Sequence, residues 1–418
     1  MQSRKIVDEI EKENNDNQKG MQLDPASALQ QFLDHIPITS IPAINTKSLV
    51  LEIKAGDSIR DAIHMLYEKD TFGAVVVDVL DNETAGSIAF SHRYIAFVAF
   101  SNMILWCLHE YENIRENDTD NHLTDIDDDI FFSILDRIPQ IGQTKVSELA
   151  KSFLWEPFFP VQLDDTILHA LLLLSKHRLQ VLPVIQQPDA VLIGFVTQNS
   201  LVQLLLQSSK LEWFDIIADK NLSDFRFEGQ ERPSCVFGDQ TVAHALKLLW
   251  QNQTCAVAVV DRQTKKLIGN VRKSDIYNLV KNDDLLRSRR IFTVEEFVHA
   301  ETNKTDTKPT IEHDHGVDHA AESLHRKNSY KPRMDSPVTN KKNDTLKQVM
   351  EHMTETNSSF SFLINDNEQV TGLITVRDII LQFAPPCVNS SIGGGGFFEL
   401  ALEQSGCQIK NGTMTRNR

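Results

Sequence analysis

Residues 372–380 read GLITVRDII. A short apolar strand runs into Thr375, Asp378 follows three residues later, and isoleucines resume at once. A hydroxyl and a carboxylate at that spacing, where a buried strand hands over to a helix, either cap the helix or meet a ligand. The stretch recurs. LIGNVRKSDIY at 267–277 and LIGFVTQNSLV at 192–202 share the apolar pair, the glycine, the apolar run and the helical continuation, and YIAFVAFSNMI at 94–104 is a degraded copy. Between the equivalent points Ala96, Gly194, Gly269 and Gly372 the steps are 98, 75 and 103 residues. Self-similarity at such steps predicts a repeated supersecondary unit.

A second landmark lies upstream in each copy: DSIRDAIHML from Asp57, DTILHALLLL from Asp165, QTVAHALKLL from Gln240 and DTLKQVMEHM from Asp344. Each sets a Ser or Thr (Ser58, Thr166, Thr241, Thr345) just before apolar residues at i, i+3, i+4 and i+7. The hydroxyl suits an N-cap and the spacing gives one buried helix face. A β-branched or aromatic run follows (AVVVD from Ala74, VLPVI from Val181, AVAVV from Ala256, FSFLI from Phe360), then a polar turn and the second strand. Such a unit cannot bury both faces of its small sheet alone, so the copies are expected to pair.

The chain has 418 residues, room for two cored domains, and its net charge is −16 from 58 acidic and 42 basic residues. That sign opposes a duplex-binding surface, so nucleic acid is not an expected partner. The five cysteines are odd in number and lack CxxC spacing, which fits reduced thiols. No apolar run reaches the length of a membrane span, and no membrane partner is expected; a cytoplasmic or nuclear protein is. There is no P-loop, nucleophile elbow or His-Glu metal motif, so no enzyme is expected.

These two landmarks, in four copies from Lys47 to Pro385, resemble the CBS domain. The resemblance implies an α+β fold of four βαββα repeats paired into two Bateman modules. With SKHRLQVLPVI in the second copy, the chain is also similar to the γ regulatory subunits of AMP-activated, sucrose-nonfermenting-type protein kinases, in particular the plant γ-like branch. That likeness implies an energy-sensing regulatory subunit with two protein partners, a catalytic kinase α subunit and a β scaffold. It implies no required cofactor, with AMP, ADP or ATP as the regulatory ligand.

On this reading residues 1–20 form a disordered acidic tail, 21–46 a leader helix and extended segment that packs on the first repeat or meets a partner, and 47–110 repeat 1. An acidic linker with a short helix (111–145) precedes repeat 2 (146–210), and repeat 3 (211–285) follows, its Trp213, Phe214, Ile216 and Ile217 packing the modules together. A charged disordered insertion (286–333), repeat 4 (334–386) and a Gly-rich tail (387–418) complete the chain.

In the family a Thr hydroxyl meets phosphate and an Asp accepts from the ribose hydroxyls, roles their chemistry suits. Thr375 and Asp378 match both. Repeat 3 keeps Asp275 but has Arg272 in place of Thr, where a guanidinium could pair with phosphate. Repeat 2 keeps Thr197 with Ser200 for Asp, and repeat 1 has Ala99 and Asn102. His177 and Arg178 match the family's phosphate-binding basic pair, whereas Asn357, Ser358 and Ser359, or Phe72 and Gly73, stand there in repeats 4 and 1. Capping alone also accounts for both acids, which leaves open a CBS-fold interaction scaffold without nucleotide sensing. His313, His315, His319 and His325 resemble metal ligands without a framework, and LHRKNSY partly resembles a substrate site at Ser329 of this kinase class.

Overall fold

Ser58, Thr166, Thr241 and Thr345 each end an extended segment and accept a hydrogen bond from the amide three residues on, at 3.1, 3.3, 3.3 and 3.2 Å. The helices they cap open the repeats of a computed structural model of the chain. The described residues are 25–41, 51–77, 94–117, 131–152, 155–177, 179–186, 191–227, 233–300, 333–384, 407–410 and 413–416. The 1–20 tail, Arg178, His313, His315, His319, His325, Ser329 and the tetraglycine lie outside them.

The chain enters through α1 (Pro25–His35). Repeat 1 comprises β1 (Glu52–Lys54), α2 (Ile59–Glu68), β2 (Gly73–Val77), β3 (Tyr94–Ala99) and α3 (Phe100–Glu116). After α4 (Phe131–Arg137) and β4 (Trp155–Pro157), repeat 2 comprises β5 (Val161–Gln162), α5 (Ile167–Lys176), β6 (Val181–Gln186), β7 (Val191–Thr197) and α6 (Gln198–Gln207). Helix α7 (Glu212–Ala218) leads to repeat 3: β8 (Cys235–Phe237), α8 (Val242–Gln251), β9 (Ala256–Val260), β10 (Leu267–Arg272) and α9 (Ile276–Lys281). Helices α10 (Asp283–Ser288) and α11 (Val294–Ala300) follow. Repeat 4 comprises β11 (Thr339–Lys341), α12 (Leu346–Glu355), β12 (Phe360–Ile364), β13 (Val370–Thr375) and α13 (Val376–Phe383), and β14 (Cys407–Lys410) pairs with β15 (Thr413–Arg416) in the tail.

Each repeat builds one mixed sheet, its first strand parallel to the second and the second antiparallel to the third. Strand alternation sends one set of side chains to the helices and the other to a facing sheet. Val75, Val77, Tyr94 and Phe97 of repeat 1 meet Ile185, Leu192 and Phe195 of repeat 2, and Ala256, Ala258 and Val260 of repeat 3 meet Phe360, Phe362 and Leu373 of repeat 4. Sheet against sheet, repeats 1 and 2 make one module and repeats 3 and 4 the other. The helical faces then join the modules: repeats 1 and 3 share one core, and repeats 2 and 4 share the second.

The segments before the repeats are exchanged within each module. Ile38 N donates to Asp165 O and Ile167 N to Ile36 O, both at 2.8 Å, so the lead-in of repeat 1 completes repeat 2. Val146 N donates to Asp57 O and Ile59 N to Thr144 O, so the lead-in of repeat 2 completes repeat 1. The second module repeats the pattern: Leu222 N reaches Asp344 O, and Val294 N reaches Gln240 O.

Three expectations change accordingly. Helix α1 packs on α5 and α7, not on the first repeat, because Leu29, Leu33 and Ile38 fill the core of repeats 2 and 4. Residues 211–225, expected in repeat 3, dock on repeat 4, where Phe214 stacks on Phe383 at 5.4 Å; Ile216 remains exposed. Residues 286–300 are not a charged loop. Leu286, Val294, Phe297 and Val298 are buried against repeat 3, with Arg287, Arg289, Arg290, Glu295 and Glu296 interleaved among them. Arg289 is itself buried, beside the Tyr111 ring and Glu112 of α3.

Candidate functional site: the strand-to-helix junctions

Thr375 ends β13 and caps α13. Its hydroxyl accepts from Asp378 N at 3.2 Å, and Asp378 Oδ2 accepts from Thr375 N at 2.8 Å and from Thr375 Oγ1 at 2.6 Å. This reciprocal box satisfies otherwise orphaned donors at the helix start. Asp378 is only 4% exposed, yet its Oδ1 has no hydrogen-bond partner among the described residues. One acceptor at this junction is therefore committed and the other is open.

Repeat 3 handles its acid differently. Arg272 Nε lies 3.0 and 2.9 Å from the two oxygens of Asp275, its terminal nitrogen donates to Oδ1 at 2.7 Å, and its backbone amide donates to Oδ2 at 2.9 Å. The pair is 6% and 1% exposed. Arg272 thus does not extend toward a phosphate as the sequence suggests; a guanidinium so close to a buried carboxylate closes on it, and both oxygens of Asp275 are occupied. In repeat 2, Thr197 and Ser200 form the same box as in repeat 4 with a hydroxyl in place of the carboxylate. His177 ends α5 with its ring 6.3 Å from that of Phe159, and burial holds its pKa below the usual histidine value.

Cys255, just before β9, carries a thiol pushed up to about 11, first by burial and further by the charge of Asp378, with Lys273 acting in the opposite sense. Lys273 Nζ also donates to Asn102 Oδ1 of repeat 1 at 3.1 Å, and Arg377 Nε to Ser175 O of repeat 2 at 3.2 Å. These cations tie the modules together and escaped the sequence reading because nothing local marks a residue for a contact so distant in the chain. Between repeats 2 and 4 a shallow surface recess is lined by Asn199, Gln203, Thr354, Asn357 and Ser358 among others. Of these the sequence pointed to Asn357 and Ser358 alone. Among the described residues no group of His, Cys, Asp or Glu could hold a metal ion, and no helix is long and apolar enough to cross a membrane.

The CBS domain family model matches residues 146–207 and 333–384, which are repeats 2 and 4 with part of the chain preceding each. The chain carries CBS domains. Its CBS repeats are similar, along nearly their whole run, to the SNF1-related protein kinase regulatory subunit gamma-1 of Arabidopsis thaliana, at 26% identity over 86% of this chain and 84% of that protein. The gamma-1-like subunit of the same plant is 23% identical over 84% of this chain and 86% of its own length. Among solved structures, a Methanocaldococcus jannaschii protein described as an archaeal homologue of γ-AMPK superposes with a TM-score of 0.51 at 16% identity, covering 84% of this chain and all of that one. At that identity the superposition speaks to fold only.

Proposed function

We propose that this CBS-repeat protein is a non-catalytic, γ-like regulatory subunit of a SNF1-related Ser/Thr protein kinase, bound to a catalytic α subunit and a β scaffold in the cytoplasm or nucleus. The observation that carries the reading is the extent of the likeness to the plant γ subunits: it runs through both modules and the segments between them. The test is co-expression of the full chain with catalytic and β subunits, followed by affinity purification through this chain. Recovery of all three supports the reading; recovery of this chain alone overturns it.

Within that reading the repeat 4 junction is the place for an adenine nucleotide. A ribose diol would meet the open Oδ1 of Asp378, and phosphate would meet the start of α13. Titration calorimetry with AMP, ADP and ATP should then give heat that Asp378→Ala abolishes. The closed Arg272–Asp275 pair favours a second reading, an interaction scaffold that has lost sensing. Absence of heat with every nucleotide selects it.

A further inference from the structure

The two sheet-to-sheet seams are built at equivalent positions from unlike residues. At the centre of the first, Phe97 of β3 meets Phe195 of β7 edge to face at 5.8 Å, and Tyr94 stacks on Phe158 at 5.1 Å. The positions equivalent to Phe97 and Phe195 in the second seam, each following the Gly or Ala of the repeat motif, are Asn270 and Leu373. Asn270 pairs in register with Ala258, which places its side chain on the seam face. It is 1% exposed, and its Oδ1 has no hydrogen-bond partner among the described residues. An aromatic pair has given way to an unsatisfied amide against alanine and leucine, and leaving such a group dry opposes closure of the surfaces around it.

Around that amide the second seam keeps buried Val260, Phe360, Phe362 and Leu373, and its two repeats are joined again at the rim. Lys266 and Gln369, equivalent residues just before β10 and β13, form an antiparallel bridge. Leu267 N donates to Glu368 O at 2.9 Å, Gln369 Nε2 to Thr264 O at 3.0 Å, and Lys266 Nζ pairs with Glu368 at 2.7 Å on the surface. Both strands run from that rim to their far ends at Arg272 and Thr375, where Asp275 and Asp378 sit.

We propose that the seam between repeats 3 and 4 is the compliant joint of the molecule, hinged at the Lys266–Gln369 rim and loosened in its middle by Asn270, so that it opens most at the Asp378 end. The seam between repeats 1 and 2 is the rigid counterpart. The inference rests on packing alone and stands whether or not a nucleotide or a kinase binds.

Hydrogen–deuterium exchange on the full chain tests it. Asn270→Leu, near in volume and without the amide, should slow exchange in β10 and β13 on the order of tenfold and leave β3 and β7 unchanged. The reciprocal Phe97→Asn should speed exchange in β3 and β7. Unchanged or faster exchange of β10 and β13 in Asn270→Leu overturns the proposal. The wild-type chain offers a test that no folding failure can obscure: raising NaCl from roughly 0.05 to 1 M screens the rim ion pair. Exchange in β10 and β13 should rise relative to β3 and β7; an equal response of both seams overturns the hinge.

Discussion

Asp378 and Asp275 occupy the same position in their repeats and face different neighbours, so they should respond differently to removal. Asp378→Ala removes one side of a capping box and is expected to cost about 1 kcal/mol. Asp275→Ala leaves the Arg272 guanidinium buried without its carboxylate, a loss of roughly 3–5 kcal/mol. Replacing both, Arg272→Leu with Asp275→Leu, should recover most of it, and urea denaturation of the three variants checks the order. Asp165 gives a pH dependence. Burial raises its pKa, but the hydrogen bond from His169 and that from Gln162 N at 2.7 Å outweigh burial and hold it below the ordinary 3.8. A depressed folded value means stability that is present above the unfolded pKa and withdrawn as pH falls through the folded one. Asp165→Asn should therefore flatten the acid denaturation curve below the ordinary carboxylate range of roughly 4. What the sequence made legible at this scale was the Thr375–Asp378 spacing. It could not show that Arg272 turns back onto Asp275, because a guanidinium three residues from a carboxylate folds inward or outward according to burial, which is set by the facing repeat.

At the scale of elements, the helices and strands were readable because two periodicities alternate, 3.6 in the capped helices and 2 in the strands. The lead-ins were not, since the repeat on which a short apolar segment docks depends on surfaces far away in the chain. PITSI from Pro37, KVSEL from Lys145, NLSDF from Asn221 and TVEEF from Thr293 are nevertheless a third recurring landmark, the first residue of each bridged to a helix cap. The diagnostic substitution is Ile38→Ala. Ile38 is fully buried, so the change should cost about 2–5 kcal/mol. Hydrogen exchange should rise in α5 of repeat 2 and stay level in α2 of repeat 1, the reverse of what sequence order suggests.

For the whole molecule, the decisive feature is that neither module owns its helical core. Val98, Phe100 and Met103 of repeat 1 share a cluster with Ala245, Leu249 and Ile276 of repeat 3, and Leu171 and Leu205 of repeat 2 share one with Met350 and Ile379 of repeat 4. Residues 21–210 expressed alone would uncover both apolar faces, and exposed patches of that kind drive association. Light scattering after size exclusion should show that half self-associating, whereas the full chain keeps the same surfaces internal. Pairing of four repeats was foreseeable from the need to bury two faces of each sheet; which repeat meets which across the modules was not.

The exchanged segments bear on ancestry. A polypeptide holding one repeat and the stretch before it, in this geometry, completes a second copy and is completed by it in return. Two such polypeptides make an intertwined homodimer through reciprocal domain swapping. Joining the two in one chain would turn that trade into an internal one with every contact retained, which is the arrangement each module of this protein has.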